Sequence, residues 1–281
     1  MPVLTSPVCR PRRIGNHKPA RCAGEIMESL SGRNALVTGA SSGIGKAIAL
    51  AMAEAGADLA LDYIGDPTAE DDVARQIREM GRRAVEIEAD ISNGDQVRHM
   101  VHQAVEELGR IDILVNNAGL QIEKPFWELT PDLWDKMISV DLRGTFLVTL
   151  YTVQKMMESG GGRIVNITSV HQLIPKPNFA PYCAAKAAVG MLTKTLGVDL
   201  APHKININAI APGAIATPMN KDVLDNPDKL KRVLSQVPWG RMGKPEEIAS
   251  MAVYLASDAA DYITGATFVI DGGLTQQVVQ Y

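Results

Sequence analysis

No stretch of this 281-residue chain approaches the roughly 20 consecutive apolar residues that a bilayer-spanning helix needs. No membrane partner is therefore expected. Positive charge is not in excess either. Against 28 Lys and Arg stand 32 Asp and Glu, a net charge of −4, which leaves no basic footprint for nucleic acid. Cysteine is scarce: Cys9, Cys22 and Cys183 have no metal-ligand spacing and make no disulfide framework. No metal site is expected, and a reducing, cytoplasmic setting is. Aromatic residues make up only 5% of the chain while Ala and Gly are plentiful, which suits helices packed closely on a sheet.

Residues 1–30 are rich in Pro and Arg (Arg10, Arg12, Arg13, Arg21) and lack hydrophobic periodicity. No apolar h-region follows, so they do not read as a secretory signal. A disordered N-terminal extension is expected, with a transit peptide as the alternative. Organised sequence begins just after Met27, which makes that residue a candidate natural start. Residues 31–281 are long enough to bury a sizeable core and show no internal repeat or linker.

From Arg33 onward, short apolar runs alternate with amphipathic stretches. Strands are expected at Ala35–Val37, Ala57–Leu61, Ala84–Glu88, Ile111–Val115, Arg163–Ser169, Ile205–Ile210 and Thr267–Ile270. Helices are expected at Ile44–Ala55, at Thr68–Met80 with Val73, Ile77 and Met80 inward, and at Asp95–Leu108. A single long helix should run from Pro131, behind the capping Thr130, to about Met157. Another should carry Tyr182 and Lys186 to about Leu200, and one or two short helices should lie within Pro218–Leu234. Buried strands alternating with helices imply a parallel sheet covered on both faces. Right-handed crossovers then give an α/β architecture: a single-domain, doubly wound Rossmann fold with about seven strands.

Three stretches carry chemistry. Tyr182 and Lys186 are four apart, so a helix sets them on one face, one turn from each other. A phenol normally ionises near pH ~10, and an ammonium beside it favours the phenolate. Such a pair can exchange a proton with an alcohol or carbonyl near neutral pH. Ser169, at the end of an apolar run, can hydrogen-bond the same oxygen. By chance alone, Y-x-x-x-K also occurs in many helices with no such role. The second stretch, Thr38-Gly39-Ala40-Ser41-Ser42-Gly43-Ile44-Gly45, follows a strand and opens a helix. Glycines there let backbone approach a pyrophosphate at a helix N-terminus. The spacing is G-x-x-x-G-x-G, and a ligand-free turn is the alternative. The third, Asn116-Asn117-Ala118-Gly119, closes the fourth strand at the edge where doubly wound sheets bind ligands. Asp90 follows the third strand, either to hydrogen-bond an adenine edge or to cap the next helix.

Taken together and in this order, Thr38–Gly45, Asn116–Gly119, Ser169, Tyr182/Lys186 and Pro212-Gly213 resemble the short-chain dehydrogenase/reductase family over about residues 31–275. The resemblance implies NAD(P) binding and hydride transfer between the nicotinamide and an alcohol or carbonyl carbon. It implies Tyr182 as general acid/base, Lys186 as the group that assists it and holds the nicotinamide ribose, and Ser169 as the group orienting the substrate oxygen. The implied cofactor contacts are Gly39, Ser41, Ser42, Gly43, Ile44, Gly45, Tyr63, Asp90, Ile91, Asn117, Ala118, Gly119, Tyr182, Lys186, Pro212, Gly213, Ile215 and Thr217. The family often carries Asn in a V-N-x-x-G pattern. This chain reads Val140-Asp141-Leu142-Arg143-Gly144, so Asp141 is a further catalytic candidate or a brace for its helix.

At the tip of the second strand Asp62 stands one position early for the ribose-binding acid, and Tyr63 takes that slot. No basic residue is close, so the cofactor is NAD or NADP with a lean to NAD. Ser169-Val170-His171-Gln172, Gly213–Pro218 and Asp271–Gln276 are similar to the bacterial glucose 1-dehydrogenase branch. That branch carries an acid where Gln121 stands and Asn where Ala216 stands. The small-molecule substrate is accordingly expected to be a sugar or polyol, met by Ser169, His171 and Gln121. A 3-oxoacyl-carrier-protein reductase is the alternative enzyme, and a catalytically silent dinucleotide sensor the alternative of another class. Lys221–Lys231 resembles the family's mobile lid, and the family implies a homotetramer.

Overall fold

Seven strands pair side by side in one all-parallel sheet, in the order β3-β2-β1-β4-β5-β6-β7. They are β1 (Asn34–Val37), β2 (Asp58–Tyr63), β3 (Ala84–Glu88), β4 (Ile113–Asn116), β5 (Gly162–Ile167), β6 (Ile205–Pro212) and β7 (Thr267–Ile270). The computed structural model describes residues 29–65 and 67–276. The expected N-terminal extension therefore lies outside the described residues up to position 28. Leu30 is fully buried, and its N–H donates to the carbonyl of Ala55.

Successive strand residues point to opposite faces, and both faces are apolar. One face sets Val37, Leu59, Leu61, Val115 and Val165 against α1 (Gly43–Glu54), α2 (Pro67–Glu79) and α9 (Pro245–Ala256). The other sets Leu36, Ala60, Leu114, Ile164 and Ile207 against α3 (Gly94–Leu108) and α5 (Thr145–Glu158), with Leu196 and Leu200 around the end of α6 (Ala180–Asp199). Neighbouring residues such as Leu36 and Val37 thus serve different cores. The chain winds outward from β1 to β3, then returns to place β4 beside β1. That reversal opens a crevice at the carboxyl ends of β1 and β4, where a doubly wound sheet takes a ligand.

Four expectations are corrected. The helix expected from Pro131 to Met157 is α4 (Pro131–Ile138), a π-helical segment (Ser139–Gly144), then α5. Gly144 permits the wide turn to close on β3's exit loop, because a Cβ there would lie 2.8 Å from Cδ1 of Ile91. Strand β5 ends at Ile167, and Ser169 instead starts a 3₁₀ turn over Val170–Gln172, its hydroxyl accepting the His171 N–H at 3.1 Å. Met80 lies past the end of α2 and is 39% exposed, whereas Val73 and Ile77 are buried. Asp90 does not cap α3: Asn93 does, while the Asp90 carboxylate accepts the backbone and hydroxyl hydrogens of Ser92. Two short helices, α7 (Lys221–Leu224) and α8 (Pro227–Leu234), occupy the expected lid.

Candidate active site

The crevice floor is the glycine-rich turn between β1 and α1. Gly39 and Gly43 have φ of 62° and 56°, backbone that favours glycine. Three side chains lock the turn. Thr38 Oγ1 accepts the N–H groups of Asn117 and Ala118 at 3.0 and 3.1 Å. Asn117 Nδ2 donates to the carbonyls of Thr38 and Gly39, both at 3.0 Å. Asp62, buried at the end of β2, accepts the Gly39 N–H at 3.2 Å. Ser42 stands at the N-cap of α1 without a side-chain capping bond, and no acidic residue occupies the first turn. The positive end of a twelve-residue helix is therefore left for an external anion.

Gly45 is the tightest point of this floor. A Cβ there would sit 2.1 Å from the Gly39 carbonyl oxygen and 2.4 Å from Asn117 Nδ2. Gly45→Ala should push the turn out of shape, cost about 1–3 kcal/mol of stability, and abolish dinucleotide binding at concentrations that saturate the wild type. Thermal unfolding and a nicotinamide-fluorescence titration together check this.

Above the floor, α6 turns Tyr182 and Lys186 inward, 8% and 6% exposed. Lys186 Nζ lies 5.6 Å from the centre of the Tyr182 ring, donates to the Ile167 carbonyl at 3.4 Å, and stands 3.5 Å from Asp141 Oδ2. The π-helical segment delivers Asp141 to this point with no exposed surface, and its Oδ1 accepts the Leu120 N–H at 2.8 Å. Oδ2 makes no hydrogen bond. Gly119 leaves the room, since a Cβ there would meet Lys186 Nζ at 3.2 Å and Asp141 Oδ1 at 3.3 Å. Burial alone would push the Lys186 ammonium down, but the Asp141 carboxylate and the Tyr182 oxygen outweigh it and hold it above its usual value. Burial raises the Asp141 carboxyl, with Lys186 and the Leu120 N–H opposing.

Ser169, 5% exposed, and His171 frame the other side. The His171 ring meets the Tyr182 ring edge-on at 6.4 Å, with Nδ1 3.3 Å from the Ile174 carbonyl. Burial lowers the proton affinity of this imidazole, so it is neutral at physiological pH. Phe179 meets Tyr182 at 6.5 Å from a further direction. Gln121 lies on the half-buried loop leaving β4.

The remaining cofactor candidates ring the same crevice edge. Thr217 comes within ordinary contact of Gly43, for a Cβ on that glycine would lie 3.4 Å from Thr217 Cβ. Pro212 ends β6, and Gly213 abuts Asp271. The side chains of Ile215 and Ile91 are committed to the core, which leaves their backbone for a ligand. Ser41, Ser42, Ile44 and Tyr63 keep surface at the crevice. Two roles were not read from the sequence: the Thr38 hydroxyl, and the Asp62 carboxylate weighed there only against the ribose, as locks of the glycine turn. Both are polar groups at strand ends of otherwise apolar runs, which is the signal that could have marked them. The glycine floor, the open helix terminus and the buried Tyr182–Lys186 pair fit a dinucleotide.

Comparison with known proteins gives this geometry a family. The enoyl-(acyl carrier protein) reductase family matches residues 39–275. Glucose 1-dehydrogenase 2 of Bacillus subtilis is 38% identical over 252 residues, 89% of this chain and 97% of that protein. A 3-oxoacyl-[acyl-carrier-protein] reductase of Synechocystis is 41% identical over 249 residues, 88% of this chain and 99% of its own length. The crystal structure of a gluconate 5-dehydrogenase from Burkholderia cenocepacia, in complex with NADP and tartrate, superposes with a TM-score of 0.86 at 37% identity, covering 91% of this chain and all of the other. The chain belongs to the short-chain dehydrogenase/reductase family and is an NAD(P)-dependent oxidoreductase acting on CH–OH groups.

Proposed function

We propose that the protein oxidises a secondary hydroxyl of a sugar or polyol, or reduces the corresponding carbonyl, with Tyr182 as the proton-transferring group. The observation that carries this reading is Tyr182 and Lys186 buried one turn apart on α6, with Lys186 bonded to the carbonyl at the end of β5 and the buried Ser169 starting the turn that follows that strand. Bound NAD(P) supplies the hydride acceptor or donor. Tyr182 takes the hydroxyl proton as the carbonyl forms, and returns it in the reverse direction. Lys186, kept charged by Asp141, favours the phenolate and offers hydrogens to the cofactor ribose. Ser169 donates to the substrate oxygen, since its own acceptor side is engaged by His171 N–H. His171 and Gln121 meet the further hydroxyls.

NAD is the preferred cofactor. The tip of β2 offers Asp62 and Tyr63, and Lys46 on α1 is engaged by Asp72 at 3.0 Å and so is not free to hold a 2′-phosphate. The sugar reading is supported by similarity to the glucose and gluconate enzymes. Against a carrier-protein substrate stands the lid, whose Lys221 and Lys229 are each paired with an aspartate, Asp225 and Asp222. A homotetramer in the cytoplasm is part of the proposal. The outer faces of α5 and α6 leave Phe146, Met191 and Val198 exposed at 45%, 60% and 75%, and a cleft between them is lined by Leu142, Ala188 and Leu192. Among the described residues no helix is long and apolar enough to cross a membrane.

The test is a panel of sugars, polyols and their keto forms with NAD or NADP, followed at 340 nm. Turnover of at least one polyhydroxy substrate, with the higher kcat/KM on NAD, is the expected result. Cofactor binding without turnover of any alcohol or ketone would make the protein a sensor.

A further inference from the structure

The loop that leads into α6 reads Lys176-Pro177-Asn178-Phe179 and closes as a tight turn. The Phe179 N–H donates to the Lys176 carbonyl at 3.3 Å, and Asn178 has a φ of 67°. Proline second and a left-handed asparagine third are the residues a type II turn requires. A second bond, from the Lys124 N–H to the Asn178 carbonyl at 2.9 Å, staples the turn to the loop leaving β4. The turn is held from both sides, and it folds the Lys176 side chain back over the Phe179 ring, with Nζ 3.6 Å from the ring centre.

Phe179 is 4% exposed and stands edge-on to Tyr182 at 6.5 Å. An ammonium is thus fixed two ring contacts from the Tyr182 ring. A lysine in this position is not a solvated surface charge. Burial pulls its proton affinity down, with the charges of Glu123, Cys183 and Asp222 opposing. Neither carboxylate is in ion-pair contact with it among the described residues, and Asp222 is engaged by Lys229 at 3.1 Å. A half-buried, pre-oriented cation without a contact counter-ion gains most from an anion delivered to it.

We infer that Lys176 is a specificity-determining residue that receives a substrate carboxylate, so that the preferred substrates are polyhydroxy acids rather than neutral sugars. The inference rests on the polyol reading above and narrows it. The two contacts of 6.5 and 3.6 Å hold the ammonium within the span of an extended six-carbon acid and its two hydrogen bonds. The hydroxyl under Tyr182 is then one near the far end of the carbon chain, remote from the carboxylate.

The test uses matched pairs that differ only in the end group: D-gluconate against D-glucitol, and D-galactonate against galactitol. Wild-type enzyme should favour the acid of at least one pair by about tenfold or more in kcat/KM, the size of one charge-assisted hydrogen bond. Lys176→Met should raise KM for that acid by about the same factor with kcat held. It should leave the neutral partner and cofactor binding unchanged. Lys176→Arg should recover most of the loss, and added salt should raise KM for the acid only. An acid-to-alditol ratio unchanged in Lys176→Met, or a wild type that prefers the neutral partner, overturns the inference while the polyol reading stands. A wild type that turns over no polyhydroxy compound overturns both.

Discussion

Tyr182→Phe is expected to lower kcat by on the order of 10²–10⁴-fold, the usual contribution of a positioned proton-transfer group, with the dinucleotide Kd essentially unchanged. The substitution removes one oxygen and nothing else. The ring that packs against Phe179, His171 and Met137 is retained, so no cavity forms and the fold is undisturbed. Lys186 keeps its bonds to the Ile167 carbonyl and Asp141, and the glycine floor is untouched. Loss of rate without loss of binding or thermal stability is therefore the signature of a missing proton acceptor. Initial rates, a fluorescence titration with the dinucleotide and a melting curve on the same preparation check it. A variant that turns over at the wild-type rate would remove Tyr182 from the chemistry. A variant that also fails to bind the dinucleotide would make its role a structural one.

The site reads well from sequence wherever the chemistry is local. Tyr182 and Lys186 are one helical turn apart, and the glycine turn lies within eight residues, so spacing alone announces both. Strand bounds such as Ala84–Glu88 and Thr267–Ile270 agree residue for residue, because a short run with apolar residues between turn residues is a strong signal. What sequence does not display is contact across the chain. Asp62 and Gly39 meet only because β1 and β2 are neighbours in the sheet, and Asp141 meets Leu120 only because the π-helical turn packs beside the loop leaving β4. The π-helical turn was hidden for a related reason. One extra residue per turn barely disturbs an apolar pattern, and the Ile91 side chain that packs on its Gly144 lies on another element. Lys176 is the instructive case. The Pro177-Asn178 turn was not read from the sequence, and the cation it aims needed the positions of Phe179 and Tyr182 to acquire a meaning.

Asp141 separates a bracing role from an electrostatic one. Asp141→Ala removes one partner of a buried pair, strands the Lys186 ammonium and leaves the Leu120 N–H unmatched, so a loss of about 3–5 kcal/mol is expected. Asp141→Asn keeps an acceptor for Leu120 and removes only the charge. Three groups face the lysine nitrogen: Asp141, Tyr182 and the Ile167 carbonyl. Without the carboxylate, burial pulls the lysine's proton affinity down with one opposing charge fewer, so the alkaline limb of kcat/KM for alcohol oxidation, where Lys186 discharges, should move to lower pH by on the order of one pH unit. Stability carries the opposite signs. In the wild type the lysine binds its proton more tightly folded than unfolded, so its contribution is complete at neutral pH and lost as pH rises through the folded value. In Asp141→Asn the proton is held less tightly in the folded state, so the melting temperature should rise with pH from the lowered folded value up to the unfolded one, a window below that in which the wild type loses stability. Rate profiles and melting curves from pH 6 to 10 on both proteins decide the matter. Profiles that coincide, with stability alone reduced, would leave Asp141 a brace for the π-helical turn and nothing more.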